Sequence, residues 1–460
     1  MAERKKIARP SADVLETLRK TMSEAEEAGL SLAASRSRFA TRRREVSSEG
    51  DLAHPSTEYR TAFQRDRDRI VHSRAFRRLK HKTQVFIPFE GDHFRTRLTH
   101  TLEVSQIART IARALRLSED LAEACALGHD LGHTPFGHSG EKVLNWILTG
   151  TDEQVILPRE VAAKAGSFKH NYQSVRIVDL LERRYEMPGI NLTDESREGI
   201  LKHTTWKKDF PFPLPEREGL RLDRACHLEG QIVSWADEIA QQAHDLEDGL
   251  AGLAPSRLRE VEIAGVTGAL EGESGDSISL IGRARLIRGI IAILVTDLIV
   301  ASAARIEKWL TDQKVSSPED FQRKKDKLPG SLVSFSKDGE RMYHDLKEFV
   351  YRYVIQMFPI ARNDGRARIV VRGLFSAYHE NPRLIADYVL KRYSEEGGVP
   401  YLREVPLANA EVEVKRNYRN RPMFLRLIAD HLAGMTDTYA LSEYGALTGA
   451  YPSGAEWRNV

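Results

Sequence analysis

The chain has little with which to cross-link itself or span a membrane. Its 460 residues include two cysteines, Cys125 and Cys226, far apart and without a CxxC partner. That argues against a disulfide framework and for a reducing, cytoplasmic setting. No apolar h-region opens the chain, so no secretory signal is read. The most apolar stretch, 289–304, is short for a bilayer and contains Thr296 and Asp297. A buried or interface helix is expected there, and no membrane partner. Neither GxxxxGK[ST] nor GxGxxG occurs. A phosphate ligand must then be gripped by a metal and basic side chains, not by a glycine-rich loop.

What is present is ordinary globular composition with an uneven charge. Hydrophobic residues make up 41% and charged residues 29%, and the net charge is +3. Residues 58–100 contain 11 Lys/Arg against 5 Asp/Glu. Such a patch is either a solvated basic face or an anion funnel, for nucleotide phosphates or for nucleic acid, single-stranded included. The length predicts two helical lobes or one large helical domain with additions. Residues 1–55 are polar and Arg/Ser-rich, with three arginines at 42–44. A partly ordered arm is expected, packed on a neighbouring subunit.

Helical periodicity dominates the rest. Val104, Ile107, Ala108, Ile111, Ala112 and Leu115 follow His100 at helical spacing, with His100 on the Val104 face. Ser118 before Glu119 and Asp120 is an N-cap for a second helix. Leu121, Cys125 and His129 are spaced four apart on it, and Gly132 and Pro135 break it. A further helix over 228–246 aligns Val233, Asp237, Gln241 and Asp245 on one face. Loops are expected at 211–215, 265–276 and 314–340. Strand signals are few, Ile369–Val371 being the best, so the class is mainly α.

The chemistry concentrates in HDLGHTPFGH, residues 129–138. Five histidines, at 93, 100, 129, 133 and 138, crowd one 46-residue window. His100, His129, Asp130 and Asp237 offer two imidazoles and two carboxylates, a ligand set for a divalent metal. Mn, Fe, Co, Ni and Zn suit the mixed set, and Mg suits the carboxylates. Adjacent residues on a helix point about 100° apart, so His129 and Asp130 can both ligate only if the metal lies beside the helix. A zincin-like HDLGH helix is the rival, but Gly132 and Pro135 end the helix too early for it.

The runs YRTAFQRDRDRIVHSRAFRRLKHKTQVF (59–86), RTRLTHTLEVSQIARTIA (95–112), GHDLGHTPFGHSGE (128–141), FKHNYQSVRIV (168–178), LTDESREGILKHT (192–204), VSWADEIAQQAHDLEDG (233–249) and AGMTDTYAL (433–441) carry a resemblance. On them the chain resembles the deoxyguanosine triphosphate triphosphohydrolase-like (dGTPase) family of the HD-domain phosphohydrolases. The resemblance implies an HD helical-bundle core at 56–250 and a helical region at 251–460 that completes the fold and forms the oligomer interface. It implies cleavage of deoxynucleoside triphosphates to deoxynucleoside and tripolyphosphate. By position, His100, His129, Asp130 and Asp237 match the metal ligands and His138 and Glu141 the catalytic pair. His133 and His170 match histidines lining the phosphate site, and Arg97 a phosphate-binding arginine. Gln84 and Asp245 match deoxyribose contacts, and Val85 beside Gln84 offers an apolar wall against a 2′-hydroxyl. Gln241 stands where the family often has Tyr, which puts sugar and base selectivity in doubt. Relatives of this kind form homo-oligomers, tetramers or hexamers, some with nucleotide activator sites.

The residues suggest a matching mechanism. A metal, Arg97 and the basic run Arg77, Arg78, Lys80 and Lys82 neutralise the triphosphate, and water attacks the α-phosphorus. His138, its imidazole held by Glu141, donates a proton to the leaving oxygen or takes one from the water. Two other readings stay open: an HD phosphohydrolase acting on another nucleotide phosphoester, and a nucleotide- or nucleic-acid-binding regulator with a structural HD site. Product analysis separates the first, and steep salt dependence of DNA binding without turnover would mark the second.

Overall fold

The computed structural model describes residues 12–42, 59–84, 95–214, 217, 219–250 and 278–449. The helices that build the site and its supports are α1 (Ala12–Glu27), α2 (Ala62–Val71), α3 (Arg97–Ala114), α4 (Glu119–Gly128), α5 (Gly137–Thr149), α6 (His170–Arg176), α7 (Asp194–Lys202), α8 (Leu228–Gly249), α9 (Leu280–Asp312), α10 (Lys337–Val350), α11 (Phe358–Glu380), α12 (Pro422–Ala433) and α13 (Asp437–Thr448). Among the described residues, β pairing is confined to two isolated bridges, Arg42 with Thr193 and Thr83 with Thr96. The mainly α class expected from the sequence is what forms.

Hydroxyl caps start these helices. Ser118 accepts from Leu121 N at the head of α4, Thr193 from Ser196 N at α7, and Ser279 from Gly282 N at α9. Each cap satisfies one backbone donor left unpaired by the first turn. The apolar face of α3 (Val104, Ala108, Ile111, Ala112) is fully buried. It packs in one core with α4, α8, α9 and α10. A second core gathers α5, α6, α11, α12 and α13 with the inner faces of α4 and α7. Helices after residue 278 therefore contribute to both cores.

One local expectation changes, and two others gain detail. Ile369–Val371 lies inside α11, because Val370, Val371, Leu374 and Phe375 bury one helical face, and that packing overrides the β preference of the branched residues. The described part of the N-terminal arm packs on its own chain: Leu15 is buried, and Ser35 donates to Glu229 through N and Oγ at 2.8 Å each. Arg42 spans Asp66 and the Asn191 carbonyl, while Arg43 and Arg44 lie outside the described residues. The apolar stretch 289–304 sits within the 33-residue α9, which by length and composition could cross a membrane. Asp297 on it accepts from Ser336 N and Oγ, and Arg305 donates to the Ser334 and Phe335 carbonyls, so the segment before α10 is tied along its flank.

Candidate metal centre and its flanking histidines

Helix α4 ends at Gly128, and His129 is its C-cap, still in the right-handed helical region. The next turn departs because Gly132 lies against α6: a Cβ there would sit 2.2 Å from the His170 carbonyl and 2.3 Å from Ser174 N. The break removes the zincin alternative. It also sends His129, Asp130 and His133 toward α3, α6 and α8 from one short segment. Phe136 takes a left-handed φ of 61° just before α5, which turns the chain so that His138 and Glu141 face back toward His170.

One ligand atom each from His100 (α3), His129 and Asp237 (α8) lie within 4.8 Å of one another. The hydrogen-bond network assigns their tautomers. His129 Nδ1 donates to the Ala126 carbonyl at 2.6 Å, so Nε2 is the nitrogen left to meet a ligand. That nitrogen is buried, has no hydrogen-bond partner and stands 3.6 Å from Asp237 Oδ1. His244 pairs with Glu103 through Nε2, so its Nδ1 accepts from His100 Nδ1 at 3.3 Å. His100 Nε2 lies 2.9 Å from Asp237 Oδ1 and hydrogen-bonds that carboxylate when it carries a proton. The Nε2 atoms of His100 and His129 and the Asp237 carboxylate converge inside the protein and call for positive charge among them, from protons or from a metal ion. The donor set therefore fits a divalent metal.

Electrostatics agree. Burial opposes protonation of His129, yet Asp130 and Asp237 outweigh it and raise its pKa to about 9, so the cluster favours positive charge. Burial would raise the Asp237 carboxyl, but His100 and His129 hold it well below the usual range.

Asp130 is placed differently from the other three expected ligands. Its Oδ2 accepts from Arg97 Nη1 at 2.6 Å. Its Oδ1 lies 3.1 Å from His133 Nε2 and 3.3 Å from His129 Nε2. A ligand atom of Asp130 also lies within 4.8 Å of His170 and His203. Arg97 is thus engaged by Asp130, with its buried Nε unpartnered.

The expected pairing of Glu141 with His138 is not what forms. Glu141 Oε2 accepts from His170 Nδ1 at 2.6 Å. The rings of His133 and His170 stack at 4.0 Å, and His138 stands edge-on to His133 at 5.0 Å. His138 is exposed. Three histidines and Glu141 therefore form one wall, with ligand atoms of His133, His138, Glu141 and His170 within 4.8 Å.

The outer residues are partly as expected. Asp245 on α8 is buried, and burial, with Asp248 and Asp237 nearby, pushes its carboxyl well above the usual range. Gln84 Oε1 is buried without a hydrogen-bond partner. Gln241 is half-buried two turns before Gly249, and Val85 lies outside the described residues, as does His93. Lys82 does not face a ligand. It is buried and donates to the His133 and Ala433 carbonyls, pinning the metal loop to the end of α12, so it drops out of the basic run. A cavity of about 370 Å³ lined by His203, Asp237, Trp206, Ser234 and Glu238 opens beside the metal cluster.

Sequence reasoning missed His203, His244 and Glu103. His244 follows Asp237 by seven residues, two helical turns, so face periodicity alone could have flagged it. His203 sits in a quoted run but has no motif spacing.

The HD domain model matches residues 97–241, and the phosphohydrolase-associated domain model matches 333–406. A deoxyguanosinetriphosphate triphosphohydrolase-like protein of Bordetella pertussis is 42% identical over 403 residues, covering 86% of this chain and 92% of the relative. One of Mesorhizobium japonicum is 41% identical over 411 residues (84% and 89%), and one of Nitrosomonas europaea 38% over 396 (84% and 91%). Identity at this level along most of both chains, with the histidine–aspartate cluster in place, settles the family. The chain belongs to the deoxyguanosinetriphosphate triphosphohydrolase-like proteins, HD-domain hydrolases that depend on a metal.

Proposed function

We propose that the chain hydrolyses deoxynucleoside triphosphates, dGTP among them, to deoxynucleoside and tripolyphosphate in the cytoplasm. The names of the relatives support this substrate class. The observation that carries it is the convergence of ligand atoms from His100, His129 and Asp237, with the exposed imidazole of His138 on the wall formed with His133, Glu141 and His170.

A divalent cation held by His100, His129 and Asp237, with Asp130 alongside, supplies charge neutralisation at the phosphate and activates water. The protein's own groups do the rest. His133 and Arg97 line the phosphate side, Arg97 through the edge that Asp130 leaves free. Water attacks the α-phosphorus and the nucleoside 5′ oxygen leaves. The exposed His138 takes a proton from the attacking water and returns it to that oxygen, and Glu141 acts one ring away by orienting His170. The buried Asp245 carboxyl and the unpartnered Gln84 Oε1 suit a sugar hydroxyl.

Assembly belongs to the same reading. Leu280, Ile281 and Val300 of α9 are 81%, 70% and 65% exposed, which suits a homo-oligomer contact. A nucleotide activator or single-stranded nucleic acid remains a partner to be assayed alongside.

The test is incubation with each dNTP and NTP plus Mg²⁺ or Mn²⁺, with the phosphate product identified and Asp130→Ala as control. Tripolyphosphate from dNTPs alone is expected. Release of orthophosphate or pyrophosphate would instead favour another phosphoester hydrolase.

A further inference from the structure

The run AGMTDTYAL (433–441) brings a buried carboxylate, Asp437, to the site from far along the chain. Asp437 is the first residue of α13, yet its oxygens are spent elsewhere. Thr436 caps α13 by accepting from Tyr439 N at 3.2 Å. Asp437 Oδ2 instead accepts from Thr83 N at 2.8 Å and from the Thr83 hydroxyl. Its Oδ1 accepts from Phe136 N at 2.9 Å. A buried carboxylate is costly unless donors meet it, and these three donors come from two segments that border the site.

Each segment carries a group of the site. Phe136 is the N-cap of α5 and takes a φ of 61°, so the direction of its backbone fixes how α5 sets out and where His138, two residues on, stands. A left-handed φ is unfavourable for phenylalanine and persists only where the surroundings hold it. The bond to Asp437 is part of that hold. On the other side, Thr83 bridges to Thr96, and Arg97 N donates to the Lys82 carbonyl at 3.1 Å. The 82–84 segment therefore moves with Gln84 and with the start of α3. The two segments touch at Gly137, where a Cβ would sit 2.8 Å from Arg97 Nη2 and 3.4 Å from the Gln84 carbonyl. One carboxylate thus fastens together two pieces of backbone that have no slack between them.

We propose that Asp437 is a positioning residue for the hydrolysis: it ties the Phe136 turn to Thr83 and so keeps His138 on the wall it forms with His133 and His170. This rests on the reading of His138 as the group that moves the proton. Neither anchored segment contains a residue of the His100–His129–Asp237 cluster, so the metal ligands lie outside the tie. An Asn at 437 has one acceptor oxygen and an NH₂ group in place of the second. It turns that donor on either the Thr83 or the Phe136 N–H, and one anchor opens.

The experiment is a double-mutant cycle on the Mn²⁺-loaded full chain with dGTP. Asp437→Asn, checked for folding by circular dichroism, is expected to lower kcat by about 10²-fold, the effect of misplacing a reacting group by about 1 Å, with Mn²⁺ content unchanged. Added to His138→Asn, it is expected to cost nothing further, because its effect passes through that imidazole. Thr83→Val, which removes one donor and leaves the carboxylate, gives the same cycle if Asp437→Asn does not fold. Losses that multiply in the double variant overturn the proposal and leave Asp437 an anchor of the fold alone. A folded Asp437→Asn with full kcat, or one that loses its metal, overturns it too. Carbon-13 at histidine Cε1 gives a readout apart from turnover, with the His138 signal assigned by its loss in His138→Asn. That signal is expected to move in Mg²⁺-loaded Asp437→Asn, and a signal that stays put counts against the proposal. A moved signal in a protein that releases no tripolyphosphate would uphold the tie to His138 while refuting the proposed reaction.

Discussion

His244 Nδ1 accepts the Nδ1 proton of His100 at 3.3 Å, and Glu103 holds the other side of the His244 ring. The chain Glu103–His244–His100 aims His100 Nε2 at Asp237. Groups that orient a metal-ligating imidazole typically set about 10–100-fold of metal affinity. His244→Phe is therefore expected to weaken Mn²⁺ binding by about that factor, read by competition with a fluorescent chelator. Unchanged affinity would show that packing alone orients His100.

His138 is exposed and, among the described residues, forms no ligand cluster with His100. His138→Asn is expected to lower kcat by about 10²–10⁴-fold, the usual contribution of a general acid, with the metal content of the protein retained. Steady-state kinetics and metal counting on the same sample check both halves. A variant with full kcat would move the proton donor elsewhere.

Gly132 leaves no room for a side chain, since a Cβ would meet backbone atoms of α6 at 2.2 and 2.3 Å. Gly132→Ala must push the Asp130–His133 loop off α6. A loss of about 1–3 kcal/mol or more is expected, visible as a lower thermal midpoint. Weaker metal binding should accompany it, because the same loop presents His129 and Asp130.

Glu26, near the end of α1, is raised by burial to about 7 from 4.5, although the Ser37 hydroxyl donates to it and works the other way. Asp120 and Glu27 add repulsion. The folded state thus keeps a proton that the unfolded chain loses between those two values. The carboxyl costs nothing below about pH 4.5, and docking of α1 weakens as pH rises through 7. Hydrogen exchange corrected for intrinsic rates should show less protection of α1 near about pH 8 than near about pH 5. Glu26→Gln should flatten that difference, and a slope that survives it would point to another group.

The sequence alone determined the helical class, the cap at Ser118, and which residues share a face. All of these follow from spacing along one helix, a property that a linear chain displays. It also showed HDLGHTPFGH as the centre of the chemistry, because breaker residues and histidines sit next to each other there. Tertiary structure decided the rest. Asp130 turns from the first cluster toward Arg97 and His170, Glu141 bonds His170 and not His138, and Lys82 holds a loop instead of a phosphate. His203 and His244 enter from helices far along the chain. Each of these depends on the direction of a hydrogen bond between separate helices, and the direction is set only when the two cores bring those helices together. Spacing in the sequence says which way a side chain leaves its own helix, but not what it meets.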